Sequence, residues 1–408
     1  MYLHLSDLNN LSAFPSWFKK IIRTCSRKIR NKYPSNFIET SSLLDLADLS
    51  PTPYESLTRF EDCSMVRNIL NSLKEDMRET FLQRYMHGRS YNDIADSSGL
   101  PLGTVKRRLY DARAKFIQHF KKQNNSIIRV GYLPISDHLL AMVSHQMHDQ
   151  QEYSILLRKY LSWPSLVNSL RADQLDVAFI MAPLALSLRA AGMPITYILN
   201  AHQNGSAITV RKDASYTWKH IQGCMGLPHE ISTQNMILHH MFDGQASDAI
   251  KTIKPTYLSP SYVNKSLVSQ NIDSFFCAEP WNTKAVMNGI GRIVVQSGEI
   301  CPGHICCILI AKESFAAQQG DILRQYIKLL SAANEHIGSK PDFCAKTQAK
   351  YTGVSADVVE TVIKNKTITY NDLTPEKSGI ESVMNLSIKA GILKKPCNID
   401  SFMCTSFL

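Results

Sequence analysis

Along the first third of the chain, hydrophobic positions repeat at helical spacing. From residue 127 onward they condense into short apolar runs. Val105, Leu109, Ala112 and Phe116 recur every three or four residues and predict a helix with one buried face. Upstream, Ile94 and Ala95 are the apolar contacts of a shorter helix. Ser90 with Asp93 three residues on makes a capping-box-like start to that helix, because the hydroxyl satisfies an amide of the first turn. Ser97-Ser98-Gly99 ends it, since glycine tolerates the left-handed backbone of a sharp turn. Leu100-Pro101 then opens the next helix. The pattern predicts a helix-turn-helix within a helical unit spanning 64–122. Phe18, Ile21, Ile22 and Cys25 share another helical face in 1–33. Residues 34–63 are rich in Ser, Pro and acids with weak periodicity, and read as a linker.

After a polar hinge at Lys121 to Asn125 the character changes. Apolar runs at 127–133, 153–157, 176–181 and 195–199 predict strands, and helices are expected from Leu139 and over Trp163 to Leu170. This alternation predicts an α/β domain with a largely parallel sheet. Ligands in such sheets gather in loops after the strands, here 134–138, 162–164, 182–183 and 201–206. No run of about 18 apolar residues occurs, so no transmembrane segment and no membrane partner are expected.

Charge adds one distinction. The net +10 divides unevenly: residues 1–127 hold 20 Lys+Arg against 13 Asp+Glu, or +7, leaving 25 against 22, or +3, for the rest. The positive excess therefore sits with the helix-turn-helix and fits a polyanion there. Thr104, Lys106, Arg107, Arg108 and Arg113 lie on or beside the outer face of its second helix and are the candidate DNA contacts. A basic face can also be merely solvated, and it is the turn chemistry and helix lengths that favour DNA. The N-terminal stretch lacks the basic, apolar, small-residue progression of a secretory signal, which predicts a cytoplasmic protein with reduced cysteines.

Two family resemblances follow from quoted residues. Ile94-Ala95, Gly99-Leu100-Pro101, Gly103-Thr104-Val105-Lys106-Arg107-Arg108-Leu109 and Ala112-Arg113 resemble region 4 of extracytoplasmic-function sigma factors. Phe14 to Arg23 resembles the end of sigma region 2, although the earlier helix that grips the polymerase core has no counterpart here. This resemblance implies promoter DNA, and RNA polymerase core, as partners. Val130-Gly131-Tyr132-Leu133-Pro134, Leu175-Asp176-Val177-Ala178, Asn204-Gly205-Ser206 and Glu279-Pro280-Trp281-Asn282 resemble the nitrate/bicarbonate-binding and thiamine-precursor branch of ABC-transporter solute-binding proteins. That implies a two-lobed type II periplasmic-binding-protein fold over 127–408. Its first lobe is expected at about 127–206 and 300–408, its second at about 207–299, with hinges near 206–212 and 292–300.

The same resemblance implies a small ligand in the cleft: an anion, a sulfonate or a pyrimidine precursor. Asp137, His138, Trp163, Gln203, Asn204, His229, Glu279 and Trp281 are expected to line or border it. Cys301, His304, Cys306 and Cys307 are the one grouping that suggests metal or redox chemistry. Ile305 to Ile310 also reads as a buried strand, in which adjacent Cys306 and Cys307 point to opposite faces. The expectation is therefore no metal. No nucleophile–base motif, phosphate loop or carboxylate pair stands out, so no catalytic residues and no cofactor are expected. The reading is a ligand-sensing transcription regulator rather than an enzyme, with a transporter's solute-binding component or a thiamine-pyrimidine enzyme as alternatives.

Overall fold

The computed structural model describes residues 69–124, 127–149, 153–215, 217–242, 248–370 and 372–407. The region-2-like helices of 1–33 and the linker of 34–63 lie outside the described residues. The chain divides into two compact units, 1–126 and 127–408.

In the helical unit, α1 is Glu75–Tyr85, α2 Tyr91–Ser98 and α3 Leu102–Asn124. Ser90 caps α2 as its spacing predicts. Its Oγ accepts from Asp93 N at 3.1 Å, and the Asp93 carboxylate accepts from Ser90 N at 2.9 Å. Gly99 closes the helix in the left-handed conformation at φ 64°. Ile94, Val105, Leu109, Ala112 and Phe116 are buried together with Phe81, whose ring stacks on Phe116 at 5.5 Å between centroids. The stripe that defines α3 in the sequence is therefore the face it packs on α1 and α2.

The second unit contains two sheets. The first lobe holds β1 Ile127–Tyr132, β2 Ser154–Lys159, β3 Val177–Met181, β4 Ile195–Asn204, β10 Ile305–Lys312 and β11 Ile368–Thr369, in the order β11-β4-β10-β3-β1-β2. The second lobe holds β5 Ser206–Arg211, β6 Gly223–Leu227, β7 Ile253–Tyr257, β8 Ser274–Ala278 and β9 Gly291–Gln296, in the order β7-β6-β8-β5-β9. The expectation of a largely parallel first sheet needs correction. β2, β1 and β3 are parallel, but β10 returns from the other lobe antiparallel to both β3 and β4. Pairing with β10 carries β4 to Gln203 and pairing with β11 carries it to Asn204, so 201–204 is strand rather than loop.

The crossings between lobes are equally specific. Residues 206–211 form β5, so the first crossing is at Asn204-Gly205, where Gly205 takes φ 91°. The return runs through 297–304 between β9 and β10. Of the helices, α4 (Leu139–Met147), α5 (Trp163–Arg171) and α6 (Ala182–Ala190) flank the first sheet, whereas α7 (Thr233–Met241) and α8 (Trp281–Met287) belong to the second lobe. Towards the C-terminus, α9 (Gly320–Ser339) and α10 (Pro341–Thr352) pack on α4, and α11 (Lys377–Lys389) touches both α6 and α7. Among the described residues no helix is long and apolar enough to cross a membrane.

Candidate functional site

The outer face of α3 sorts the five candidate DNA contacts by how free they are. Lys106 and Arg107 are exposed, and Thr104 is half-buried in the first turn, which carries no acid. Arg107 reaches Asp111 only at 4.0 Å with its side chain 86% exposed. Arg108 lies 3.3 Å from Asp76 of α1. Arg113 departs from the expectation: its guanidinium lies 5.8 Å over the Tyr85 ring and its Nε is buried. Four residues beyond Leu109, the helical turn brings Arg113 round towards α1, so it packs the unit together instead of projecting outward.

In the second unit the chemistry converges on one point at the seam between the lobes. The loop after β1 winds into a single 3-10 turn, Ser136–His138, that is pinned on three sides. Ser136 N donates to the Glu279 carbonyl at 2.7 Å, Gln348 Nε2 donates to Ser136 Oγ at 2.7 Å, and Tyr370 Oη donates to the Ser136 carbonyl at 2.8 Å. Asp137 is thereby held facing β4 and β10. Its Oδ2 stands 3.2 Å from His202 Nε2 and accepts from the thiols of Cys306 at 3.6 Å and Cys307 at 3.9 Å. All four side chains are 1% exposed or less.

Two adjacent cysteines facing one carboxylate contradict the expected alternation. Ile305 pairs with Gln203 and Cys307 with His202, so two residues of β10 advance against one of β4. Cys306 is the extra residue of a β-bulge, and the bulge removes the period-two alternation that would separate the thiols. The grouping read from the sequence is also redrawn. His304 Nδ1 pairs with the Cys301 carbonyl at 2.7 Å, and neither residue joins the cluster. Among the described residues, one set of four could hold a metal ion: Asp137, His202, Cys306 and Cys307, with ligand atoms within 4.8 Å of one another.

The electrostatics of this cluster follow from burial and proximity. Burial disfavours a charged His202, but the Asp137 carboxylate outweighs it and carries the imidazole up to about 10. The neighbouring Cys307 thiol acts as a donor that lowers Cys306, whereas burial raises Cys307. Two buried polar atoms here lack a hydrogen-bond partner: Asp137 Oδ1 and His202 Nδ1. The second lobe closes over the group, with Thr233 Oγ1 donating to the Cys306 carbonyl at 3.1 Å and Gln234 Nε2 to its sulfur at 3.8 Å.

The other expected cleft residues are spread around this point. His138 turns into the first lobe: Nδ1 accepts from Leu133 N at 2.8 Å, and the ring stands edge-on to Trp163 at 5.7 Å. Burial and the nearby His202 push it down to about 3, so it is a neutral core histidine packed with Trp163. Gln203 and Asn204 end β4, and Asn204 Oδ1 braces the return crossing by accepting from Gly303 N at 3.1 Å. His229 is half-buried in the turn before α7, its Nδ1 accepting from Ile231 N at 2.9 Å. Glu279 is fully buried and caps α8, accepting from Thr283 N and Oγ1 at 3.0 Å each, and burial pushes its carboxyl up to about 7. Trp281 begins α8 with its ring beneath Lys284. His202, Thr233 and Gln234 were not anticipated. His202 sat in a stretch read as loop, and only the length of the apolar run from Ile195 signalled that the strand continued.

A two-lobed solute-binding fold and a capped helix-turn-helix unit carried on one chain define the class. The chain belongs to the NMT1-like family, whose model matches residues 121–350, and the sigma-70 region 4 model matches residues 63–116. It is 26% identical over 258 residues to the nitrate import ATP-binding protein NrtC of Synechocystis sp., covering 56% of this chain and 38% of that protein. It therefore spans less than half the length of that relative. It is also 29% identical over 114 residues to a probable RNA polymerase sigma factor, RfaY, of Xanthomonas campestris, covering 27% of this chain and 28% of that one. Among solved structures, the ligand-binding component of an ABC-type import system from Staphylococcus aureus with zinc bound superimposes with a TM-score of 0.63, at 20% identity over 69% of this chain and 97% of that one. The periplasmic nitrate-binding protein NrtA of Synechocystis gives a TM-score of 0.61 at 14% identity, over 68% and 84%. At such identities the likeness is one of fold.

Proposed function

We propose that this protein is a cytoplasmic transcription regulator that binds promoter DNA through α3 and senses a small ligand between the lobes of its second unit. The observation that carries the reading is the joining of a sigma region 4 to a solute-binding fold in one chain. Only Asn125 and Ser126 separate α3 from β1 in sequence, so a change in the second unit has a short covalent path to the DNA-binding helix. Lys106 and Arg107 meet phosphates or base edges, Thr104 sits at the helix start where the groove is entered, and RNA polymerase core is a further partner that the sigma likeness suggests. The ligand acts through its different affinity for the open and closed lobes, which shifts the population able to bind promoter. Nitrate, bicarbonate and aliphatic sulfonates head the candidates, because relatives carry those names. A thermal-midpoint screen of the full chain against these anions and a pyrimidine precursor tests the sensing half. A true ligand at 100 times its Kd stabilises by about 2.7 kcal/mol and raises the midpoint. A flat response across every compound counts against an organic or small-anion signal.

A further inference from the structure

We propose that Asp137, His202, Cys306 and Cys307 bind a divalent transition-metal ion of the zinc class, and that this ion is the signal read at the lobe seam. The second clause rests on the regulator reading; the site itself does not. Two thiolates, an imidazole and a carboxylate are a donor set suited to a four-coordinate, borderline-soft ion. In tetrahedral zinc sites, bond lengths of about 2.0–2.3 Å place donor atoms roughly 3.3–3.8 Å apart. The four ligand atoms here already lie within 4.8 Å of one another, so contraction of a few tenths of an ångström to an ångström completes the sphere.

Three features distinguish the cluster from an incidental packing of thiols. The bulge at Cys306 turns both sulfurs to the same side, where a regular strand would divide them. The carboxylate oxygen Asp137 Oδ1 and the imidazole nitrogen His202 Nδ1 are buried with no hydrogen-bond partner, a costly state that an ion drawing on this cluster would relieve. The donors also come from three separate segments, the loop after β1, β4 and β10, so the site exists only when the first lobe is folded. On binding, Cys306, Cys307 and the imidazolium of His202 each release a proton to solvent, and His202 then coordinates through one neutral nitrogen. Access requires the second lobe to lift, because Thr233 and Gln234 lie against Cys306. Loading and closure are thus coupled, which is what a sensor needs.

The experiment uses the full chain, reduced and stripped by dialysis against a chelator, and titrated with Co2+. One equivalent should give sulfur-to-cobalt charge-transfer absorption in the near ultraviolet with intense visible bands of a tetrahedral ion, and Zn2+ should abolish both. The Cys306→Ser, Cys307→Ser double variant should lose the bands while keeping the far-ultraviolet circular dichroism of the parent. Should that variant fold poorly, alkylation of the unmodified protein decides: bound Zn2+ protects Cys306 and Cys307, identified by peptide mapping, and leaves Cys301 reactive. A folded parent with no stoichiometric band, bands that survive the double substitution, or protection confined to other cysteines each overturns the site. Promoter affinity with and without Zn2+ separates the two clauses. Stoichiometric binding with unchanged promoter affinity overturns the sensing role alone. An anion-dependent affinity in a chain that holds no ion overturns the site and keeps the regulator.

Discussion

Glu279 is the residue at which burial and hydrogen bonding pull hardest against each other. Its carboxyl has no solvent exposure, and burial raises it to about 7 in the folded protein even though the Thr283 hydrogen bonds act to lower it. An unfolded glutamate titrates near its ordinary value of about 4.3. Between those two pH values the folded state keeps a proton that the unfolded state has lost, so stability falls as pH rises through this window. The loss across the whole window is on the order of 3–4 kcal/mol, because each tenfold change in proton affinity is worth about 1.4 kcal/mol. Glu279→Gln stays neutral and should flatten that part of the curve. Urea-unfolding midpoints at pH 5 and pH 8 check it: the parent should lose more stability than the variant, and parallel losses would remove Glu279 as the cause. The resemblance to solute-binding proteins placed Glu279 and Asp137 near a cleft, and for Asp137 the loop after the first strand agreed. It could not show that His138, one residue beyond Asp137, turns the opposite way into a core with Trp163 and Phe179. Side-chain direction in a single 3-10 turn is set by what packs around it, and no sequence period records that.

At the scale of the element, α3 has an exposed basic face, to which the proposed function assigns DNA, and a buried apolar face that holds the unit together. Lys106 and Arg107 are exposed, so Lys106→Ala and Arg107→Ala should each weaken promoter binding, reduce the salt slope by about one, and leave the thermal midpoint nearly unchanged. Phe116→Ala, on the buried face against Phe81, should cost roughly 3–5 kcal/mol and melt the unit. Equal loss of stability from Arg107→Ala would contradict the assignment of faces. This element was legible in advance because its signals are local: a cap at Ser90, a stop at Gly99 and a stripe from Val105 to Phe116. β4 and β10 were less so. Their antiparallel pairing joins residues about a hundred positions apart, and the bulge at Cys306 depends on that pairing. A rule of alternation applied to Cys306 and Cys307 in isolation therefore gave the wrong faces.

For the whole molecule, the account turns on linkage between two units that each have a recognisable architecture. A ligand that closes the lobes can alter promoter affinity only by favouring one state, and typical couplings of about 1–3 kcal/mol correspond to changes of roughly 5- to 150-fold. The two-unit organisation could be read from the shift in hydrophobic pattern at residue 127 and from the charge excess ahead of it. The seam could not, because it assembles Asp137, His202, Cys306 and Cys307 with Thr233 and Gln234 of the other lobe. The most direct measurement is fluorescence anisotropy of a labelled promoter duplex titrated with the full chain at two salt concentrations. Each titration is run without additive and with saturating Zn2+, nitrate, bicarbonate or an alkanesulfonate. The account predicts tight, salt-dependent binding whose midpoint shifts at least about fivefold with one of these additives. Binding that is absent, or that is identical under every condition, would contradict it.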